Sequence, residues 1–243
     1  MVRVQRRLTA LLAAGWILTA GPLAATALAT EEPPVADAIT GADTDTDTDT
    51  VTDAVTDAES ESADSAILVV ERLHSGLLEA MQNADELGFQ GRFDLIRPVV
   101  EETFDLNFMG SKSVGRHWKK LTPEEQALWL DKFTGFLSAN YAGNFDGFDG
   151  ESFETLGEEP AKRETRVVLT ELRVPDSEDV ILNYRLRDTQ NGWRIIDIYL
   201  KGTVSELALR RSDFSSTLKQ KGFGELAAAV DQKIQDLRNK GGG

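Results

Sequence analysis

The chain has 243 residues, no cysteine, two histidines and a formal net charge of −15. That composition excludes disulfides and a lipid-modified cysteine, and it offers no clustered basic run of the kind that marks a nucleic-acid footprint. The acidity is uneven: residues 31–65 hold twelve acids and no base, which leaves 29 acids against 23 bases from residue 66 onward, a net of −6.

Residues 1–29 read as a secretory signal peptide. Arg3, Arg6 and Arg7 open it, Leu8 to Leu18 form an apolar stretch, and Ala27-Leu28-Ala29 puts small residues before a cut at Thr30, with Ala25-Thr26-Ala27 as a rival. An uncut membrane anchor is the weaker reading. The apolar run falls short of the ~20 residues a span needs, and Gly21-Pro22 interrupts it. Residues 30–65, with their Asp-Thr repeat, read as an acidic linker too poor in apolar residues to offset its ordering entropy. Calcium binding by the alternating aspartates lacks the turn glycine and the bidentate acid that a calcium loop requires. Lacking anything to dock with, the linker is expected to be dispensable for folding. A chain that begins near Ser65 should melt at the same temperature as the full one, and a drop of many degrees on calorimetry would show that the linker packs on the domain.

The folded domain is expected over residues 66–240. Ile67, Val70, Leu73, Leu77 and Met81 step by three and four, one apolar helix face. Phe93, Ile96, Val99 or Val100, and Phe104 repeat the pattern, with Pro98 expected to kink or restart that helix. Asp105 to Met109 looks like a cap followed by a short apolar turn. Thr122-Pro123-Glu124-Glu125 has the spacing of a capping box with proline at the first helical position. The helix it opens carries Leu130, Phe133, Leu137, Tyr141, Phe145 and Phe148, up to the Gly-Asp-rich segment at 146–150.

From Ser152 the period changes to two. Ser152–Leu156 and Thr165–Val174 read as strands separated by Gly157-Glu-Glu-Pro160. A hairpin follows, in which Val180, Leu182, Tyr184 and Leu186 share one face and Trp193–Leu200 returns to end at Gly202. A two-residue Asn191-Gly192 turn would pair Leu186 with Asp197 and Tyr184 with Tyr199; a longer loop would set Leu186 against Ile196 or Ile198. Helical spacing then resumes at Phe214 and Leu218, and again through Phe223, Leu226 or Ala227, Val230, Ile234 and Leu237. The order describes an α+β fold: helices packed on one face of a roughly four-stranded antiparallel sheet.

The catalytic inventory is thin. His74 and His117 stand in separate segments with no second nitrogen or sulfur ligand at metal spacing, and neither a serine elbow nor a phosphate-binding loop occurs. Asp197 is a carboxylate inside a strand. It reads either as a general base in a sheet-lined cavity or, preferably, as an acceptor of backbone hydrogen bonds or an arginine's partner. The excess is apolar: aromatic stripes on three helices, whose ordinary meaning is core and whose second meaning is a ligand cavity.

Trp193-Arg-Ile-Ile-Asp197 followed by Gly202, Ser205, Arg211 and Phe214 resembles the C-terminal signature of the MlaC family of periplasmic lipid carriers. Gly-Phe-Gln-Gly-Arg (88–92), Val-Val-Glu-Glu-Thr-Phe-Asp-Leu (99–106), Ser-Val-Gly-Arg-His-Trp (113–118) and Gly-Thr-Val-Ser-Glu-Leu-Ala-Leu-Arg-Arg (202–211) resemble its hopanoid-associated HpnM branch. One extra residue between Gly202 and Ser205, and Glu206 in place of leucine, depart from the general pattern. The resemblance implies a periplasmic, non-enzymatic carrier with an acyl-chain cavity between helices and sheet and no cofactor. It would be a monomer that holds a phospholipid or a hopanoid-type lipid and passes it between membrane-bound transporter components. The expected lining is Leu77, Phe104, Phe108, Phe133, Leu137, Tyr141, Phe145, Phe148, Leu182, Tyr184, Ile196 and Ile198. Two rivals remain: a small-molecule binder or enzyme of similar shape using Asp197, and a structural adaptor whose stripes are all core.

Overall fold

The computed structural model describes residues 65–240, so the signal-peptide and linker readings lie outside the described residues. Among the described residues, six helices, a 3₁₀ turn and a five-stranded antiparallel sheet follow in chain order: α1 (Ala66–Gln82), α2 (Ala84–Thr103), α3 (Leu106–Ser113), the 3₁₀ turn (Gly115–Lys120), α4 (Pro123–Asn144), β1 (Ser152–Ala161), β2 (Thr165–Arg173), β3 (Val180–Thr189), β4 (Gly192–Leu200), β5 (Val204–Ser205), α5 (Glu206–Lys221) and α6 (Phe223–Lys240). The sheet is a simple meander, β1-β2-β3-β4-β5. Among the described residues no helix is long and apolar enough to cross a membrane.

Local chemistry sets the helix ends. Ser65 caps α1 by accepting from the Leu68 amide. Asp105 caps α3 through the Phe108 amide at 2.9 Å. Thr122 and Glu125 close the capping box on α4, each side chain taking the other's backbone amide. The break expected at Pro98 lies elsewhere. Pro98 sits inside α2, and the non-helical backbone is at Gly88 (φ 56°), a conformation glycine adopts without a Cβ penalty. Arg92, buried one turn on, ties this region together, donating to Ala84 O (2.8 Å) and Ala142 O (2.9 Å).

The strands also depart from expectation in three places. Gly157-Glu-Glu-Pro160 does not separate strands but continues β1 through a bulge at Gly157, and an edge strand tolerates Pro160. The tight turn is Gln190-Asn191, with Gly192 (φ 82°) already in β4 and opposite Thr189. Leu186 therefore faces Ile195, neither register anticipated, and a second bulge absorbs Ile196 before Arg185 meets Asp197. Val204–Ser205 adds a short fifth strand beside Tyr199–Leu200.

Val168, Leu172, Leu182, Tyr184, Leu186, Ile195 and Ile198 point inward and are buried with the apolar faces of α1, α2, α4, α5 and α6 in one core. The central helix is α4, packed by α2, α3 and α6. Its Trp129 spans three elements: the indole donates to Gly110 O of α3 (2.9 Å) and meets Phe214 of α5 edge-on at 5.1 Å.

Candidate functional site

Between the helices and the inner face of the sheet runs a strip of aromatic rings. Phe104 lies 6.1 Å from Tyr141, Tyr141 lies 5.8 Å from Phe145, and Phe145 lies 6.2 Å from Phe153 of β1. Phe153 stacks on His74 of α1 at 3.9 Å, and His74 Nε2 is 3.1 Å from the Tyr184 hydroxyl of β3. Helix spacing delivers Tyr141 and strand alternation delivers Phe153 and Tyr184, so the strip is the seam where the two periodicities meet. Leu77, Leu137, Leu182 and Ile198 belong to the same buried cluster, as does Phe133, which leans toward Trp129.

The polar groups in this seam are few and subdued. Burial holds the His74 imidazole down to about 3, so it is neutral at pH 7. The Tyr141 hydroxyl is buried with no hydrogen-bond partner, and burial pushes its ionisation well up. A buried hydroxyl left this way costs free energy, on the order of 1–3 kcal/mol, unless something else supplies a partner.

Asp197 is a fastener. Its carboxylate accepts from the Ile198 amide (2.8 Å), the Leu207 amide (3.1 Å) and the Ser205 hydroxyl (2.6 Å), which pins the start of α5 to β4. Burial raises its ionisation, against the pull of these bonds and of Arg185. Its oxygens are engaged, and the role of backbone acceptor is the one the structure gives it. It also accounts for the pairing of Asp197 with Ser205 eight residues on.

Three expected site residues fall outside the seam. Phe148 does not share a helix face with Tyr141, because α4 ends at Asn144; it sits in the following loop with 40% of its surface exposed. Phe108 is partly buried, and Ile196 is buried but outside the common core, the bulge having turned it away from the sheet's inner face. Both line a separate cleft. Two seam residues were not expected as lining: Phe153, whose place depends on which strand docks on α1, and His74, whose position on the apolar stripe was the available signal. Since Phe148 is partly exposed in a loop, Phe148→Arg should lower the melting temperature by only a few degrees and keep the transition cooperative. A collapse of the transition would place that ring in packed core instead.

Residues 71–232 match the family model described as MlaC protein. Among solved structures, the fold is similar to that of a phospholipid-binding protein from Ralstonia solanacearum, determined in complex with a phospholipid. The TM-score is 0.62 at 23% identity, over 71% of this chain and 98% of that one.

Proposed function

The chain belongs to the MlaC family, and from that premise we propose that it is a periplasmic lipid carrier rather than an enzyme. The acyl chains of a phospholipid or hopanoid-type lipid would lie in the aromatic seam between helices and sheet. The carrier would act as a monomer that exchanges its cargo with membrane-bound transporter components.

The observation that carries the reading is the seam itself. It joins two layers through rings and aliphatic groups, with a single side-chain hydrogen bond along the strip, His74 to Tyr184. Layers joined this way can part around a hydrocarbon chain without stranding many polar groups. Phe104, Tyr141, Phe145, Leu182, Tyr184 and Ile198 would form the wall, and the Tyr141 hydroxyl, which lacks a partner, would gain one from a lipid ester carbonyl. The energy scale fits a carrier: a chain of ~16 carbons costs about 12 kcal/mol to expose, at about 0.8 kcal/mol per methylene, so a closed apolar sleeve does the task without catalysis. The phospholipid named for the Ralstonia solanacearum protein supports the same ligand class.

Denaturing the purified protein in organic solvent and weighing the extract by mass spectrometry tests this. About one lipid per chain is expected. An empty extract from a cooperatively folded protein would sink the carrier reading in favour of a filled-core protein.

A further inference from the structure

Alternation places Arg185 and Arg187 on the face of β3 opposite Tyr184 and Leu186, away from the seam. There a cleft of about 550 Å³ opens between β3–β4, α3 and the first turns of α5. Five cationic side chains line it, Lys112, Arg163, Arg185, Arg187 and Arg211, against one carboxylate, Asp197. In a chain of net charge −15 this is a local reversal of sign. Like charges held together repel, so the arrangement disfavours the empty state and favours an anion.

The counter-charges are mostly committed. Arg187 pairs with Asp105, and Asp197 faces Arg185 while its oxygens accept from Ser205, Leu207 and Ile198. Lys112, Arg163 and Arg211 make no ion pair among the described residues. The neighbouring cleft of about 560 Å³ shows the contrast: its arginines, Arg97, Arg187 and Arg194, are matched in number by Glu101, Asp105 and Asp131.

The cations are also held in place. Arg185 donates to the Thr165 hydroxyl and to Lys162 O, each at 2.9 Å. Lys112 and Arg187 sit over the Phe108 ring, 5.4 and 4.7 Å from its centre. Arg211 lies against Gly115, where a Cβ would come within 2.9 Å of its Nε. The positive φ of +57° at this position favours glycine. Two stretches set apart in the sequence, 113–118 and 202–211, thus meet to seat one guanidinium. The floor is apolar, with Phe108, Ile196 and Leu207, so the cleft offers a greasy base beneath a ring of donors.

We propose that this cleft binds a phosphate-type anion, carried by the headgroup of a bound lipid or free in solution. Guanidinium groups match phosphate oxygens in geometry as well as charge. The headgroup form rests on the carrier reading; the free-phosphate form does not.

The test uses the full chain stripped of lipid, titrated by calorimetry at low salt with dihexanoyl phosphatidylglycerol, with the diacylglycerol of the same chains, and with inorganic phosphate. The phospholipid should bind more tightly than the diacylglycerol. Arg211→Gln should weaken the phospholipid about tenfold, the scale of one lost charge-assisted hydrogen bond, and leave the diacylglycerol unchanged. Lys112→Gln should act in the same direction. Both side chains are exposed, so both variants should melt as wild type does. Inorganic phosphate binding that depends on Arg211, without any effect on lipid, supports the cleft and assigns it to free phosphate. Equal binding of both lipids, insensitive to Arg211, with no phosphate binding, overturns the cleft and leaves the carrier reading standing. Phosphate binding sensitive to Arg211 with neither lipid bound supports the anion site and removes the carrier. No binding of any of the three removes both.

Discussion

Trp129→Ala should lower the stability of the folded domain by about 3–5 kcal/mol, the usual cost of deleting a fully buried large aromatic side chain. Trp129 is wholly inaccessible to solvent and lies between α3, α4 and α5, with Phe133 and Phe214 against its ring. The loss comes from the void and not from a stranded acceptor, because Gly110 O keeps the Ser113 hydroxyl at 2.7 Å when the indole is gone. Against a total of about 5–15 kcal/mol for an ordinary domain, that fraction should be plain as a drop in urea midpoint with an unchanged slope. Trp129→Phe retains most of the volume and should cost markedly less. The Trp129–Phe214–Phe136 contacts are distinct from the seam. Lipid carried per folded molecule should therefore be the same in Trp129→Phe as in wild type. A loss below about 1 kcal/mol in Trp129→Ala would contradict the packing, and a selective loss of lipid in Trp129→Phe would extend the ligand's bed into this cluster.

The same helix shows how far the sequence could be read. Its start is spelled out locally by Thr122-Pro123-Glu124-Glu125, and the spacing of Phe133, Leu137 and Tyr141 marks one buried face. Gly135, Ala139 and Ala142 lie on the far side of the helix from that face and are buried as well, because neighbours surround α4. A helix enclosed on several sides loses the one-stripe pattern on which periodicity depends. Its end falls a little earlier than expected: the Gly-Asp-rich segment at 146–150 reads as the stop, and α4 already ends at Asn144. The sheet divides in the same manner. Alternation identified Leu182, Tyr184 and Leu186 as the inner face of β3, but the register depended on a turn one residue earlier than expected and on a bulge at Ile196, neither of which alternation encodes. The cleft was out of reach, since Lys112, Arg163, Arg185 and Arg211 become neighbours only after four elements have packed.

His74 should make the domain acid-sensitive in a way that one substitution removes. Its ring stacks on Phe153 with the planes 10° apart, and burial holds its ionisation at about 3 in the folded state against about 6.5 in the unfolded chain. Well above about pH 7.5 both states are neutral and the residue contributes no pH dependence. As pH falls below about 6.5 the unfolded chain takes up a proton that the folded seam refuses. Stability is therefore lost at up to about 1.4 kcal/mol per pH unit until about pH 3, where the folded ring also titrates. Buried Asp197 and Glu206 are shifted upward and act in the opposite direction, so the raw profile mixes several groups. Comparing wild type with His74→Phe cancels those common contributions. At pH 7.5 the variant should be about 1 kcal/mol less stable, because the Tyr184 hydroxyl loses its partner. By pH 5 wild type should have lost about 2 kcal/mol that the variant keeps, so the order of the two urea midpoints reverses. A stability difference that stays constant from pH 7.5 to 5 would show that His74 is hydrated in the folded protein, and the seam would then be open to water at that point.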